Sequence, residues 1–596
     1  MSKTYKLFAI IISVVFVVST AMAVPDQAKV WGGSSAVTGN WNTAANWEIY
    51  TLDPFFGEMT GTGSYAVPTA SDVAQVWSGL VQVDSSVNTT VLGLQTTGGS
   101  IEISGGSLTI SGAGGPEGYE NFDLGRGLDV SSTLTISGGS LDLTGSRFNI
   151  AKSSDTTQSA TAVVNQSGGV VAAEIMSVGE IAYDDASTNG YTTPWPAMAG
   201  SGSYNLTGGT LSATALNVGK GIDGTMTITA PGELTGSAAI IVGAQENVTG
   251  QLDINGASVS GSYLRIGDAA GAVGLATMDD ASVNLTGRLY VGNGGGNGSL
   301  EISGTTLLDC ERVYISEAAN SEGTLVMSGG TLTTDLLTMG VGDNSSAVAE
   351  FSGGSFTTSI TSYMGQGAGS ESTITVKGDA EFMPLDLRMA WAADSVSTLI
   401  IEETGAVETG YIITPENSTG AAIIKVVGSD PNRIELTSGR LQLRNSPNSE
   451  LHFTFDNGGI TPIEVLNDAV PLNSSGGGAP TIYLDVTDDF DDTLFNVGDS
   501  FDMITTTGAY TISISGTSIV NNIAGYVDFD VAVVDGDNGG QVLRATITNI
   551  DNSCEGQIAA GNILTGDLNH DCFVGIDDLV EFVSSWLTCY DPQGCL

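Results

Sequence analysis

Between about Ser203 and Trp391 a hydrophobic segment ending in a small residue returns every 24 or 25 residues: LNVG at Gly219, IIVG at Gly243, LRIG at Gly267, LYVG at Gly292, VYIS at Ser316, LTMG at Gly340, SYMG at Gly365 and LRMA at Ala390. A second phrase keeps the same beat half a period away: YNLTGGTL, LDINGASV, LEISGTTL, LVMSGGTL and AEFSGGSF. Each phrase alternates apolar and polar residues and breaks at a Gly-rich turn, so a repeat holds two or three short strands and no helix-length segment. The lack of a helix-length segment excludes helix-and-turn repeats, and the fixed period predicts an all-β chain, a parallel β-solenoid (β-helix) with coils of about 24 residues.

The pleat then assigns faces. Residues one and three places before the glycine share a side of the strand. One column reads Val218, Val242, Ile266, Val291, Ile315, Met339, Met364, Met389, and the other Leu216, Ile240, Leu264, Leu289, Val313, Leu337, Ser362, Leu387. Stacked at the inter-strand spacing of about 4.8 Å, these columns make a continuous dry core, and about twelve coils counted from Ser100 make a rod of roughly 55 to 60 Å. The glycines belong at corners, where the chain takes positive φ or lies too close to its neighbour for a Cβ.

Composition narrows the function. The chain has 596 residues, 81 of them Gly, and 17 basic against 66 acidic residues give a formal net charge of −49. That balance disfavours nucleic acid and anionic membranes as partners. Hydrophobic residues at 41% and at strand spacing set it apart from disordered acidic chains. Residues 1–23 read as a signal peptide, with Lys3 and Lys6, the apolar run Leu7 to Val18 and the small-x-small site Ala21, Met22, Ala23. The run is too short for a comfortable span, so the expectation is export to a secreted, extracellular or cell-surface location, with no transmembrane span after signal removal.

Residues 24–97 form an expected N-terminal β cap region, in which Trp31, Trp41 and Trp47 cover the open end of the first coil. The stretch GNWNTAANW, Gly39 to Trp47, resembles the opening of secreted bacterial β-helix proteins of the autotransporter-passenger kind. The solenoid proper is assigned to 98–410. Within it, the insertion Tyr183 to Pro196 offers Asp184, Asp185, Tyr191 and Trp195 as loop residues on one face. A β-rich C-terminal region follows over 411–550, either an irregular continuation of the solenoid or a sandwich. Its acidic run at Asp485, Asp488, Asp489, Asp491 and Asp492 reads as a solvated turn before it reads as a cation site.

Two surfaces carry chemistry. Positions two and four before the glycine hold Tyr263 and Arg265, Arg288 and Tyr290, Arg312 and Tyr314, then Tyr363 and Arg388, so four of ten arginines fall on one strand face. Flat rings beside planar guanidinium groups suit sugars and carboxylates, which makes this a candidate contact face for an anionic polysaccharide. The competing expectation is a ladder of Arg on Tyr that satisfies itself with Glu301, Glu311 or Glu317.

The second surface is the tail, 551–596. Asp567, Asn569, Asp571, the Phe573 carbonyl and Asp578 stand at loop positions 1, 3, 5, 7 and 12, the oxygen spacing that wraps Ca²⁺. The sequence DDLVEFVSSWL then places Leu579, Phe582, Val583 and Trp586 on one helical face, with acids at the helix's positive end. Loop and helix together resemble one dockerin type I repeat. The resemblance implies calcium binding and a cohesin-like or cell-surface docking partner. Cys554, Cys572, Cys589 and Cys595 supply two disulfides to a module too small to hold itself, with three connectivities open. Cys310 reads as a small buried hydrophobe.

Catalytic residues are not assigned. The two histidines are His452 and His570, and paired acids such as Asp279 and Asp280 point to opposite sides of an extended strand. The leading expectation is therefore a noncatalytic surface, adhesion or polysaccharide-binding protein with a calcium-dependent tail. The alternative is a dockerin-bearing lyase or glycoside hydrolase.

Overall fold

The computed structural model describes residues 27–551, apart from 32–36, 53–58, 113–120, 154–158, 182–199, 415–418, 431–432, 444–447, 473–478 and single residues 128, 489 and 538, and then 566, 568 and 575–588. Residues 1–23, the insertion acids and aromatics at 184–195, and all four tail cysteines lie outside these. The described chain is nearly all β, and most of its strands pair in parallel. Among the described residues, no helix is long and apolar enough to cross a membrane.

Strand pairing follows the sequence period. Strand Ser258–Ile266 lies between Glu233–Val242 and Ser282–Val291, parallel to both. Leu264 therefore opposes Ile240 on one side and Leu289 on the other, and Leu289 leads on to Val313 and Leu337. The companion column runs Val218, Val242, Ile266, Val291, Ile315, Met339 and Met364 in register. All of these are buried in one continuous core. Like faces like across each rung, so each apolar side chain is covered by its equivalents in the adjoining repeats, at about 1.5–3 kcal/mol per buried side chain. Ser362 interrupts the Leu column without leaving an orphan, because its Oγ lies 3.1 Å from Thr358 Oγ1.

The small residue closing each phrase turns a corner in the left-handed region. Gly243, Gly267 and Gly292 have φ of +71 to +72°, and Ser316 and Ala390 at the same place have +61 and +52°. A Cβ on Gly292 would lie 2.2 Å from the Glu322 carbonyl oxygen. A second small-residue column, not anticipated from the sequence, packs on these corners: Gly250, Gly274, Gly298, Gly323, then Ala347, Ser372 and Ser397. Where serine replaces glycine there, its hydroxyl accepts from the corner N–H, Ser372 Oγ from Gly365 at 3.2 Å and Ser397 Oγ from Ala390 at 2.9 Å.

Parallel pairing does not stop at 410. Ala421–Val427 pairs with Glu450–Phe455, that strand with Thr481–Val486, and that with Ser518–Asn521, all parallel. The interval lengthens from 24 or 25 residues to 27 between Ile423 and Glu450 and 31 between Glu450 and Thr481. The extra residues leave as turns between strands that keep their rungs. Parallel pairing in this region therefore runs on as far as Asn521.

Both ends finish antiparallel. At the start, Gln27–Trp31 pairs with Trp47–Leu52, which pairs with Met59–Tyr65. At the other end, Gln541–Ile550 pairs with Val527–Asp535 and with Ser500–Thr506. Trp31, Trp41 and Trp47 are fully buried, with Trp47 4.8–5.0 Å from the other two rings. Trp47 Nε1 donates to the Trp41 carbonyl at 2.8 Å and Trp31 Nε1 to the Val37 carbonyl at 3.1 Å. Next to them, Lys29 Nζ donates to Asp72 Oδ2 at 2.7 Å, a largely buried pair.

Candidate functional site

The strand that precedes each corner carries the Arg and Tyr residues singled out above, and the register stacks them. Arg265 opposes Tyr290, Arg288 opposes Arg312, Tyr290 opposes Tyr314, and Tyr363 opposes Arg388. Repeats one rung apart put flat groups face to face. Tyr290 and Tyr314 stack at 5.3 Å between centroids, the Arg265 guanidinium lies 5.4 Å over Tyr290, and that of Arg288 lies 5.7 Å over Tyr314. Arg288 Nη1 donates to Tyr290 Oη at 3.0 Å and Arg312 Nη1 to Tyr314 Oη at 3.5 Å.

Acidic residues complete the row. Arg265 Nη1 is 3.5 Å from Asp268 Oδ1, and Arg312 Nε is 3.2 Å from Glu311 Oε1. Burial pushes the Asp268 carboxyl up from its ordinary value, opposed by the Arg265 guanidinium and by Asn293, whose Nδ2 donates to it at 2.6 Å. Burial likewise raises Glu317, opposed by Arg265 and Arg288. The hydroxyl of Tyr290 leads the causes that hold Arg288 above its usual value. Tyr290 corrects one expectation, being only 4% exposed because Arg265 and Tyr314 cover it; Tyr263 is 40% exposed. Each guanidinium thus has an acid or a phenol beside it, and the row is an internally hydrogen-bonded ladder with an open edge.

Farther along, the ladder gains aromatics that were not singled out. The Arg388 guanidinium lies 5.5 Å over Tyr363 and 5.0 Å over Trp391, and Arg388 Nη2 donates to Tyr411 Oη at 3.5 Å. Beyond Tyr411 a cavity of about 310 Å³ opens, lined by Tyr411, Ile413, Ser438, Gly439, Arg440, Gln442 and Asp468.

The acids considered for catalysis do structural work instead. Asp280 has φ +49°, so it turns back and lies beside Asp279 rather than opposite it. Asp280 Oδ1 accepts from the Thr305 N–H at 2.8 Å and Asp279 Oδ1 from Ser303 Oγ at 2.8 Å, which pins the turn of the next repeat. His452 Nε2 is 2.7 Å from Glu450 Oε2, and its ring stacks on Tyr483 at 4.5 Å. In the acidic run, Asp491 Oδ1 accepts from the Thr493 N–H at 3.0 Å, capping a short 3-10 turn. Cys310 is buried, and burial pushes its thiol up to about 12.

In the tail, Asp567, Asn569, Asp571 and Phe573 lie outside the described residues, whereas Asp578 is described. Its Oδ1 accepts from the Leu568 N–H at 2.7 Å and its Oδ2 from the Gly575 N–H at 2.6 Å, so one carboxylate ties the loop to the first turn of helix Ile576–Thr588. An all-oxygen donor set at this spacing suits a hard divalent cation. Ile576, Leu579, Val580 and Phe582 on that helix are each more than half exposed. No protein-family model matches the chain, and no curated protein matches it.

Proposed function

We propose that the chain is an exported, noncatalytic β-solenoid that presents one long face for polysaccharide binding or surface adhesion, with a calcium-stabilised tail for attachment. Parallel pairing of residues 24 or 25 apart supports the solenoid. The observation that carries the function is the ladder of Arg and Tyr from Arg265 to Arg388, with further aromatics at Trp391 and Tyr411. Its members lie at rung spacing, with one break at Thr338, and do not converge in a cleft, which suits an extended polymer better than a small substrate. Asp279 and Asp280, the paired acids weighed for catalysis, are hydrogen-bonded to Ser303 and Thr305 of the next repeat.

For the tail, the dockerin-like spacing supports Asp567, Asn569, Asp571, the Phe573 carbonyl and Asp578 as the Ca²⁺ ligands. Bound calcium supplies folding free energy to the loop and orients the helix whose apolar side chains face outward. Cys554, Cys572, Cys589 and Cys595 would add two disulfides in an oxidising exterior. A cohesin-like or cell-surface partner is the proposed recipient of that helix face.

Two measurements test the reading. The full chain is passed over immobilised polysaccharides, and the same mixtures are assayed for reducing ends and unsaturated products with Ca²⁺ present. Retention without turnover is expected, and turnover would replace this reading with the lyase or hydrolase. Pull-down from surface extracts with the full chain, with and without chelator, is expected to lose its partner when calcium is removed. Capture that ignores chelation would overturn the calcium-dependent tail.

A further inference from the structure

The cavity beyond Tyr411 is built differently from the ladder that leads to it. Along the ladder the column Arg265, Tyr290, Tyr314, Thr338, Tyr363, Arg388 carries a guanidinium or a phenol ring at every rung but Thr338. At the next rung Ile413 takes the place, opposite Arg388, and Gln442 follows opposite Ile413. Ile413 lines the cavity of about 310 Å³ together with Tyr411 and Gln442. Such a volume is at the small end of ligand sites, the scale of one sugar residue rather than a cofactor.

Its walls carry groups that recognise a pyranose. The Tyr411 ring is fixed from one side by the Arg388 contact and from the other by Gly439. A Cβ on Gly439 would lie 2.5 Å from Tyr411 Cβ and 2.9 Å from its Cδ1, so only glycine lets the chain lie this close to the ring. Across the cavity Arg440 Nε donates to Asp468 Oδ2 at 3.1 Å and Arg440 Nη1 to Gln442 Oε1 at 3.5 Å. Gln442 is 6% exposed, and Ser438 adds a hydroxyl at the rim. An aromatic face beside a carboxylate acceptor, a guanidinium donor and an amide matches a sugar, with its C–H face and adjacent hydroxyls.

We propose that Tyr411, Ser438, Arg440, Gln442 and Asp468 form a subsite for one uncharged pyranose residue of a polysaccharide. The proposal rests on the polysaccharide reading above and gives that reading its anchor point. The charge follows from the lining. Asp468 is paired with Arg440 and the chain carries −49 overall, so a uronate or sulfated residue would meet a carboxylate and, among the described residues lining the cavity, no cation without an acid beside it.

Affinity electrophoresis of the full chain tests this, in gels cast with galactomannan, mixed-linkage β-glucan or unsubstituted xylan, and in parallel with polygalacturonate. The wild type is expected to be retarded by at least one uncharged polymer and to run freely in polygalacturonate. Asp468→Asn keeps the shape of the wall, and Tyr411→Ala removes the platform. Each is expected to weaken retardation about tenfold, the effect of losing one good contact. Thermal melts of both variants check the fold, and Asp468→Asn alone decides the matter where Tyr411→Ala melts early. Retardation that both variants keep overturns the subsite and leaves polysaccharide binding standing. Retardation in polygalacturonate alone overturns the uncharged ligand, and no retardation by any polymer overturns both subsite and polysaccharide reading.

Discussion

Gly292 and Ala390 turn equivalent corners with φ of +72 and +52°, yet their surroundings differ. At Gly292 the space for a Cβ is already held by the Glu322 carbonyl, whereas at Ala390 the next repeat supplies Ser397, whose hydroxyl accepts from the Ala390 N–H. Gly292→Ala should therefore cost about 2 kcal/mol or more, from left-handed strain plus the clash. Ala390→Gly should change stability by less than about 1 kcal/mol, because relief of strain and loss of a buried methyl oppose each other. Denaturant midpoints of the two variants check the contrast. Asp72 offers a second test. Burial alone would raise its carboxyl, but hydrogen bonds from Lys29 and Thr69 outweigh it and hold the group below its ordinary value. A depressed folded value means that its contribution is present above the unfolded carboxylate value of about 3.9 and is lost as pH falls through the folded one. Tryptophan fluorescence of the N-terminal indole cluster should hold down to about pH 4 and change below it. Asp72→Ala, which leaves Lys29 buried without that partner, should weaken the cap by about 3 kcal/mol at neutral pH.

At the scale of the strand, the alternation of side chains makes the two core columns legible in the sequence, because a register error of one residue would expose every Leu and Val in them. The corner glycines were legible for the same reason. The small-residue column through Gly250, Gly274 and Gly298 was written just as plainly, in the strand that follows each corner, but glycine there reads as an ordinary turn until its closeness to the corner N–H is seen. The Tyr411 cavity was hidden by a change of interval. After about residue 410 the spacing moves away from 24, so Arg440 and Asp468 no longer align by counting. Exposure was the other thing counting missed: a ring two places before a corner faces outward, but a guanidinium one rung away can cover it, as happens at Tyr290. Tyr290→Ala should accordingly behave as a largely buried aromatic loss and cost about 3 kcal/mol. Arg312→Ala, which removes an exposed pairing with Glu311, should cost less than about 1 kcal/mol. Parallel thermal melts would separate the two.

For the whole molecule, the antiparallel strands at both ends matter as much as the repeats between them. A stack of parallel strands offers an unpaired edge at each end, and any second stack could add to it. Gln27–Trp31 with its partners, and Val527–Asp535 with Gln541–Ile550, close those edges by turning the chain back on itself. Ending the chain at Asn521 should therefore shift it toward larger species in light scattering relative to the full chain. Ser500–Thr506, which loses its antiparallel partner Gln541–Ile550, is the edge that would be freed.

The nearest-neighbour register also governs how the molecule would yield to tension. A strand in the regular region pairs with the equivalent strands one period before and after it, so in the proposed solenoid a load drawn through the two termini finds, among the described regular strands, no pairing between distant repeats to break first. The chain would pay out like line from a reel, one turn at a time from whichever end gives way. Each turn frees about 24 residues, roughly 80 Å of extended chain less one rung of about 5 Å. Optical-trap traces should show a train of steps near 75 Å in place of one cooperative rupture.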